Sequence, residues 1–141
     1  FRSNPQVDYR KEFLLTPDGG TLALDWLGTS PAASPQTVVL IYPGLTGSSE
    51  SAYIRTFSLH CTTHLPGACA VVLNHRTLGG APLTSPRLYN GADTRDIRLA
   101  IATVRERYPR ARIMAIGFSL GSNLLVKYLG EEGEESMVDA A

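Results

Sequence analysis

The sequence has no excess of charge, because its 13 lysines and arginines balance its 13 aspartates and glutamates. It contains no run of basic residues, and its tyrosines are not interleaved with arginines, so the composition argues against a nucleic-acid partner. Its apolar stretches are far shorter than the roughly 20 residues that a membrane-spanning helix needs. It shows no signal-peptide pattern. We therefore expect an ordinary globular domain.

Cysteine is also scarce, since Cys61 and Cys69 are the only two. Their spacing matches no zinc motif and their contexts are apolar, which favours buried thiols over a disulfide and hints at a reducing compartment. His60 and His64 are four residues apart on a predicted helix. Without a third ligand they favour a solvated helix face over a metal pair. The acidic run at 131–135 similarly favours a solvated helix end over a cation site, so we expect no metal and no cofactor.

Strand and helix patterns alternate along the 141 residues, a length that suits one domain with its own core. Two short strand patterns flank Pro17-Asp18-Gly19-Gly20, a sequence typical of a hairpin turn. Leu22, Leu24 and Trp26 alternate on one face of the second strand, which predicts a half-buried hairpin.

A loop with two prolines at 28–36 follows the hairpin, and then the patterns repeat as strand and helix. The predicted elements are strand 37–42, helix 51–64, strand 69–74, helix 93–108, a strand from Ile113 and a helix that includes 123–129. Repeated βα units predict a mostly parallel sheet with helices on both faces. The carboxyl ends of its strands then share one rim, where such sheets carry their active sites.

The last strand leads into Gly117-Phe118-Ser119-Leu120-Gly121, a Gly-x-Ser-x-Gly sequence directly before a helix pattern. This order of strand, serine turn and helix is typical of a nucleophile elbow. The turn needs Gly117 and Gly121, because its flanking backbones come too close for a Cβ atom. We predict that Ser119 is a catalytic nucleophile with a strained backbone, placed at the positive end of a helix dipole.

A glycine-rich loop, Pro43-Gly44-Leu45-Thr46-Gly47, follows the first parallel strand and lies on the same predicted rim. A nucleophilic serine needs hydrogen-bond donors for the oxyanion that it forms. In an elbow enzyme these are the N–H after the serine, here Leu120, and an N–H from an earlier strand-end loop, here Leu45. Gly44 would let that backbone approach the serine. The alternative is a plain turn between strand and helix.

The sequence has no histidine after Ser119, although elbow hydrolases order their triad as serine, acid and histidine. His75 follows a strand end and is a weak candidate for the base, because its position in that order is wrong. Asp139 is the only aspartate after the serine. We therefore expect the base and acid to be missing, and these 141 residues by themselves to be inactive.

The stretch from His75 to Gly91 is irregular and longer than an ordinary connector, which suggests a loop that borders a site. Arg76 lies at its start, just after a predicted strand. We expect Arg76 to pair with Asp93 and Asp96 at the start of the following helix and so to hold this loop in place.

Several motifs together resemble one family, the α/β-hydrolase-domain proteins one and three with their bacterial and fungal relatives. The motifs are Asp-Gly-Gly-Thr-Leu-Ala-Leu-Asp-Trp (18–26), Pro-Gly-Leu-Thr-Gly-Ser-Ser-Glu-Ser-x-Tyr-Ile-Arg (43–55), Asn-His-Arg (74–76), Ala-Asp-Thr-Arg-Asp (92–96) and Gly-Phe-Ser-Leu-Gly-Ser-Asn-Leu-Leu (117–125). They extend over nearly the whole chain. The chain departs from the family at Tyr42, where relatives often have histidine, and at Ser122, where many have glycine.

The resemblance implies the N-terminal half of an α/β-hydrolase fold, so that residues 1–141 form a single incomplete domain. It implies a serine esterase or phospholipase that acts on acyl esters or lipids through an acyl-enzyme on Ser119, with Leu45 and Leu120 at the oxyanion-hole positions. An acyltransferase and a non-catalytic binding module of the same fold are the alternatives. The resemblance also implies membrane contact of the parent protein. A truncated sheet would leave an open edge that favours self-association.

Overall fold

A computed structural model describes residues 4–28 and 34–141, so part of the predicted proline-containing loop, residues 29–33, lies outside the described residues. The strands are β1 (Arg10–Leu15), β2 (Thr21–Leu27), β3 (Thr37–Tyr42), β4 (Ala68–Asn74) and β5 (Arg112–Gly117). The helices are α1 (Ala52–His64), α2 (Arg95–Arg107) and α3 (Leu120–Glu132), and a 3₁₀ turn follows at Gly133–Glu135. Every strand and helix that the sequence predicts is confirmed.

The strands form one sheet in the order β1-β2-β4-β3-β5. β2 runs antiparallel to β1 and β4, whereas β3 is parallel to β4 and β5. β1, β3, β4 and β5 therefore end at one edge, which we call the carboxyl rim. One face of the sheet packs on α1, and the other packs on α2 and α3. The predicted, mostly parallel sheet with helices on both faces is confirmed.

The prediction of a half-buried hairpin is wrong for β2. Leu22, Leu24 and Trp26 do share the face that packs on α2 and α3. Ala23 and Asp25 on the opposite face are nevertheless 0% exposed. The reason is that β4 pairs with β2 on the side away from β1, which places β2 inside the sheet, where α1 and the loop after β3 cover the opposite face. Period-two alternation marks the face on which residues lie, but it cannot show which strand becomes the neighbour.

The outer edge of β5 is partly covered by residues near the end of the chain. The Asp139 N–H donates to the Ile113 carbonyl at 2.8 Å, and the Ala115 N–H donates to the Ala140 carbonyl at 2.8 Å. Ala140 forms a parallel bridge with Met114. The edge expected to be open is therefore paired along part of its length, and self-association through it stays a prediction.

The residues considered as thiols or metal ligands occupy ordinary structural positions. Cys61 and Cys69 are buried and form no disulfide, and burial raises the pKa of the Cys61 thiol. His60 and His64 lie exposed and stack on each other near the end of α1. Within the described ranges, no three His, Cys, Asp or Glu side chains are grouped to hold a metal ion. None of the described helices combines the length and apolar character of a membrane-spanning segment.

Candidate active site

Ser119 occupies the sharp junction between β5 and α3, and its side chain is exposed at the carboxyl rim. Its backbone has φ 52° and ψ −113°, a region that L-residues rarely adopt. The helix begins at once, since the Asn123 N–H donates to the Ser119 carbonyl at 3.0 Å. The backbone strain predicted for this serine is therefore present, and it projects the hydroxyl away from the sheet.

Two glycines make this junction sterically possible. A Cβ atom on Gly117 would lie 2.4 Å from the backbone of Ser122. A Cβ atom on Gly121 would lie 2.2 Å from the carbonyl oxygen of Tyr42, at the end of β3. Both distances are far below van der Waals contact, so only glycine fits at either position. The Gly-x-Ser-x-Gly pattern is thus required by the packing of α3 against the ends of β3 and β5.

The loop after β3 forms a tight turn, because the Gly47 N–H donates to the Gly44 carbonyl at 2.9 Å. Leu45 and Thr46 are its two central residues, and Thr46 has a positive φ of 62°. A turn of this kind leaves the N–H of its first central residue unused, and here that residue is Leu45. The Leu45 side chain is 65% exposed, which leaves its backbone accessible from the rim.

This turn lies directly against the serine. A Cβ atom on Gly44 would lie 3.3 Å from the Cβ atom of Ser119. Leu120 is the first residue of α3, a position at which the backbone N–H has no acceptor within the helix. The structure therefore places the Gly44 end of this turn and the first residue of α3 beside Ser119.

His75 lies at the end of β4, but its ring is engaged elsewhere. Its Nε2 atom is 3.0 Å from the Pro43 carbonyl oxygen, to which it donates, and its ring stacks on Tyr89. Burial lowers the pKa of His75, which favours the neutral ring. The described contacts of His75 are thus with the loop backbone and with Tyr89, and His75 supports that loop.

Asp139, the only aspartate that follows the serine in the sequence, lies away from it. Asp139 accepts the Ile113 N–H at 2.7 Å and an Arg105 N–H at 2.8 Å, and these bonds lower its pKa. Ile113 stands near the start of β5, whereas Ser119 follows the end of that strand. The described residues therefore assemble a serine and two donors without a histidine–carboxylate pair.

Arg76 pins the long loop to the rim, although one of its predicted partners is wrong. Its buried guanidinium donates all five of its N–H groups in hydrogen bonds to Asp18, Asp96 and Ser85. Asp93 pairs instead with Arg87 and Arg95. The expected pair with Asp96 is confirmed, and the pair with Asp93 is not. The second partner is Asp18, in the hairpin turn. The sequence does not indicate this pair, because the hairpin turn approaches Arg76 only in the folded sheet.

Replacing Arg76 with methionine is expected to lower the free energy of unfolding by about 2 to 3 kcal/mol, because two carboxylates lose a buried partner. Arg95→Met is the matched control, since that side chain is 65% exposed and its ion pair is screened by water. Urea titrations of both variants measure the difference. Equal losses would contradict the assignment of Arg76 as the central anchor.

The hydrogen bonds between Arg76 and Asp18 also predict how the stability of the fold depends on pH. Hydrogen bonds from Arg76, and then from Thr16, lower the pKa of Asp18 well below its usual range. A carboxyl with a lowered folded pKa contributes stability that is complete above about pH 4 and lost only as pH falls through the folded value. Arg76→Met should therefore unfold at a higher pH than wild type during acid titration. Coincident acid transitions would count against this coupling.

The sequence analysis did not identify two side chains that lie near Ser119 and its neighbouring loop. Tyr53 lies within the predicted helix 51–64, and its hydroxyl contacts the loop beside Ser119. Asp25 lies in the second strand of the predicted hairpin, and it is completely buried behind that loop. The available signal for Asp25 was a carboxylate in an otherwise apolar strand. No local pattern marks Tyr53.

The sheet order, the strained serine turn and the helices on both faces together define an α/β-hydrolase fold. Solved structures agree in fold. The chain aligns with the Pyrococcus furiosus esterase Pf2001 at a TM-score of 0.71 and 21% identity, covering 89% of this chain and 47% of that one. It aligns with the serine hydrolase XC6422 of Xanthomonas campestris at 0.66 and 20% identity, covering 89% and 57%. No protein-family model matches the chain.

Curated sequences give the family. The chain is 39% identical to human phospholipase ABHD3 over 144 residues, covering 99% of this chain and 35% of that protein. It is 37% identical to a monoacylglycerol lipase of Saccharomyces cerevisiae, covering 79% of this chain and 24% of the relative. The chain is thus similar over nearly its whole length to α/β-hydrolase-domain proteins, and it spans about a quarter to a third of the length of the curated relatives that it matches.

Proposed function

We propose that this protein is a serine hydrolase of acyl esters and that Ser119 carries the acyl group. The observation that carries the proposal is the exposed, strained Ser119 placed against the Leu45 turn and the first N–H of α3. Strained backbone is maintained only where the surrounding structure enforces it, and it clusters at functional sites. A serine held for packing alone would need neither the strain nor the exposure.

In the proposed reaction the Ser119 hydroxyl oxygen attacks the ester carbonyl carbon, and a base takes the hydroxyl proton. The carbonyl oxygen becomes an oxyanion and accepts hydrogen bonds from the N–H groups of Leu45 and Leu120. The bond to the alcohol then breaks, the alcohol receives the proton, and an acyl-serine remains. Water attacks this ester in turn, which releases the acid and restores the serine. In this proposal Ser119 is the nucleophile and Leu45 and Leu120 are the donors, and the base and its acid partner are assigned to none of the described residues.

The names of the relatives support lipid esters as the substrate class, because one is a phospholipase and another a monoacylglycerol lipase. Substrates of this kind reside in membranes or micelles. We therefore include contact with a lipid surface in the proposal, and vesicle flotation of the protein measures it. Vesicles that leave the protein entirely in the unbound fraction would remove that part.

Covalent labelling tests the nucleophile directly. The protein expressed from its complete coding sequence should react with a fluorophosphonate, and mass spectrometry should locate the adduct on the peptide that contains Ser119. It should also release acid from a short-chain aryl ester. Release that requires an added alcohol acceptor would identify an acyltransferase. Absence of both labelling and turnover would favour a binding module and overturn the proposal.

A further inference from the structure

The loop at 43–50, which carries Leu45, is fastened to the sheet by a buried carboxylate. Asp25 is 0% exposed on the sheet face that packs on α1. It accepts hydrogen bonds from Ser49 Oγ at 2.5 Å, Asn74 Nδ2 at 2.8 Å and Lys11 Nζ at 2.7 Å. Three elements therefore converge on one carboxylate: the loop, the end of β4 and the edge strand β1.

Asn74 completes the attachment of the loop. Its side-chain oxygen accepts the Ser49 N–H at 2.8 Å, while its amide nitrogen also donates to the Ala23 carbonyl at 3.1 Å. The backbone and the hydroxyl of Ser49 are thus both held, so this residue cannot shift along the sheet. Because Ser49 is only four residues after Leu45, its position limits where the turn can lie.

Tyr53 holds the other side of the turn. Its hydroxyl oxygen accepts the Gly44 N–H at 3.1 Å, and its ring packs edge-on against Phe118, with ring centres 5.2 Å apart. Gly47 packs against the same hydroxyl, since a Cβ atom on Gly47 would lie 2.4 Å from the Tyr53 hydroxyl oxygen. The bond to Gly44 fixes the Pro43–Gly44 peptide, which is next to the peptide that carries the Leu45 N–H. The ring links that bond to Phe118, the residue before Ser119.

Burying a carboxylate is a poor way to stabilise a fold, because an apolar replacement of similar volume often does as well or better. It does fix geometry, and oxyanion donors act by being held in place before charge develops. We propose that Tyr53 and the buried pair of Asp25 and Asn74 are positioning residues that keep the Leu45 N–H directed at the oxyanion formed beside Ser119. This inference rests on the proposed function.

Tyr53→Phe is the decisive variant, because it removes one hydroxyl, keeps the ring on Phe118 and affects a partly exposed side chain. Loss of a whole oxyanion donor costs about 10² to 10³ in rate, so loss of its support should lower kcat on the order of 10-fold. KM should stay unchanged, since the bond is needed most in the transition state. Affinity for a boronic acid, which forms a tetrahedral adduct, should fall by the same factor.

Ser49→Ala provides an independent approach from the other side of the turn and should change kcat and boronate affinity in the same direction. Tyr108→Phe is the control, since that tyrosine ends α2 and packs on Trp26 away from the rim. Fluorophosphonate titration counts the folded sites in each sample, so a partly unfolded variant is not mistaken for a slow one.

The positioning role and the proposed function are contradicted by different results. A kcat for Tyr53→Phe within twofold of wild type, or a loss that appears only in KM, overturns the positioning role. Turnover by Ser119→Ala at a tenth or more of the wild-type rate overturns the proposed function itself. A fall in kcat of similar size in Tyr108→Phe would show a general effect of losing a hydroxyl and would also overturn the positioning role.

Discussion

Ser119→Ala should reduce ester turnover on the order of 10⁴-fold or more and abolish fluorophosphonate labelling, because no acyl-enzyme can form without the hydroxyl. The fold should persist, since the side chain is exposed and alanine keeps the Cβ atom that the turn already accommodates. Residual rate above the uncatalysed reaction would come from substrate binding and the two backbone donors. Steady-state kinetics with an aryl ester, combined with urea unfolding, measure both parts.

Ser122→Ala is the matched control, three residues further along α3. Its side chain belongs to none of the proposed machinery, so turnover should stay within about twofold of wild type. A Ser119→Ala variant that keeps a tenth of the wild-type rate would contradict the nucleophile assignment. Labelling that survives in that variant would place the reactive group at another residue.

Gly121→Ala should lower the free energy of unfolding by about 3 kcal/mol or more, since the added methyl would overlap a fixed backbone group. Its Cβ atom would lie 2.2 Å from the Tyr42 carbonyl oxygen, which is held in turn by the Phe118 N–H at 2.9 Å. Relief requires α3 to move away from β3, which would displace Ser119 from the Leu45 turn. We therefore expect loss of fluorophosphonate labelling even in the fraction that remains folded.

Gly130→Ala in the same helix supplies the opposite expectation. A Cβ atom there meets nothing within 4 Å, so the change only improves helix propensity. It should raise the free energy of unfolding by up to about 1 kcal/mol and leave labelling unchanged. Urea titrations and labelling rates of both variants provide the comparison. Destabilisation of similar size in the two would show that backbone flexibility, rather than the clash with Tyr42, explains the requirement for glycine.

Much of the fold could be predicted because its signals are local. The β-branched run at 37–42 and the helical spacing of Ile97, Ala100, Ile101 and Val104 depend only on nearby residues, and both elements formed where expected. The error at β2 and the wrong partner for Arg76 share one cause. Each depends on which distant segment becomes a neighbour, as with Asp18 and Arg76, which lie 58 residues apart.

The candidate site likewise has features that the sequence predicts and features that it does not. Gly-x-Ser-x-Gly after a strand and before a helix was sufficient by itself to predict the turn at Ser119, because the strand pattern, the two glycines and the helix pattern are adjacent in the sequence. The positive φ angles of Thr46 and Thr77 carried no such sign. These residues follow β3 and β4 respectively, where the converging strand ends force the chain to turn sharply.

By itself, then, the sequence determined the order of strands and helices and the identity of the serine, since both depend on short-range periodicity and steric limits. Only the tertiary structure decided that the Leu45 turn lies against Ser119, that His75 bonds to Pro43, and that Asp25 is buried behind the loop. These relations join residues tens of positions apart. They arise because parallel strands of one sheet end at a common edge, where close packing leaves each loop a single position.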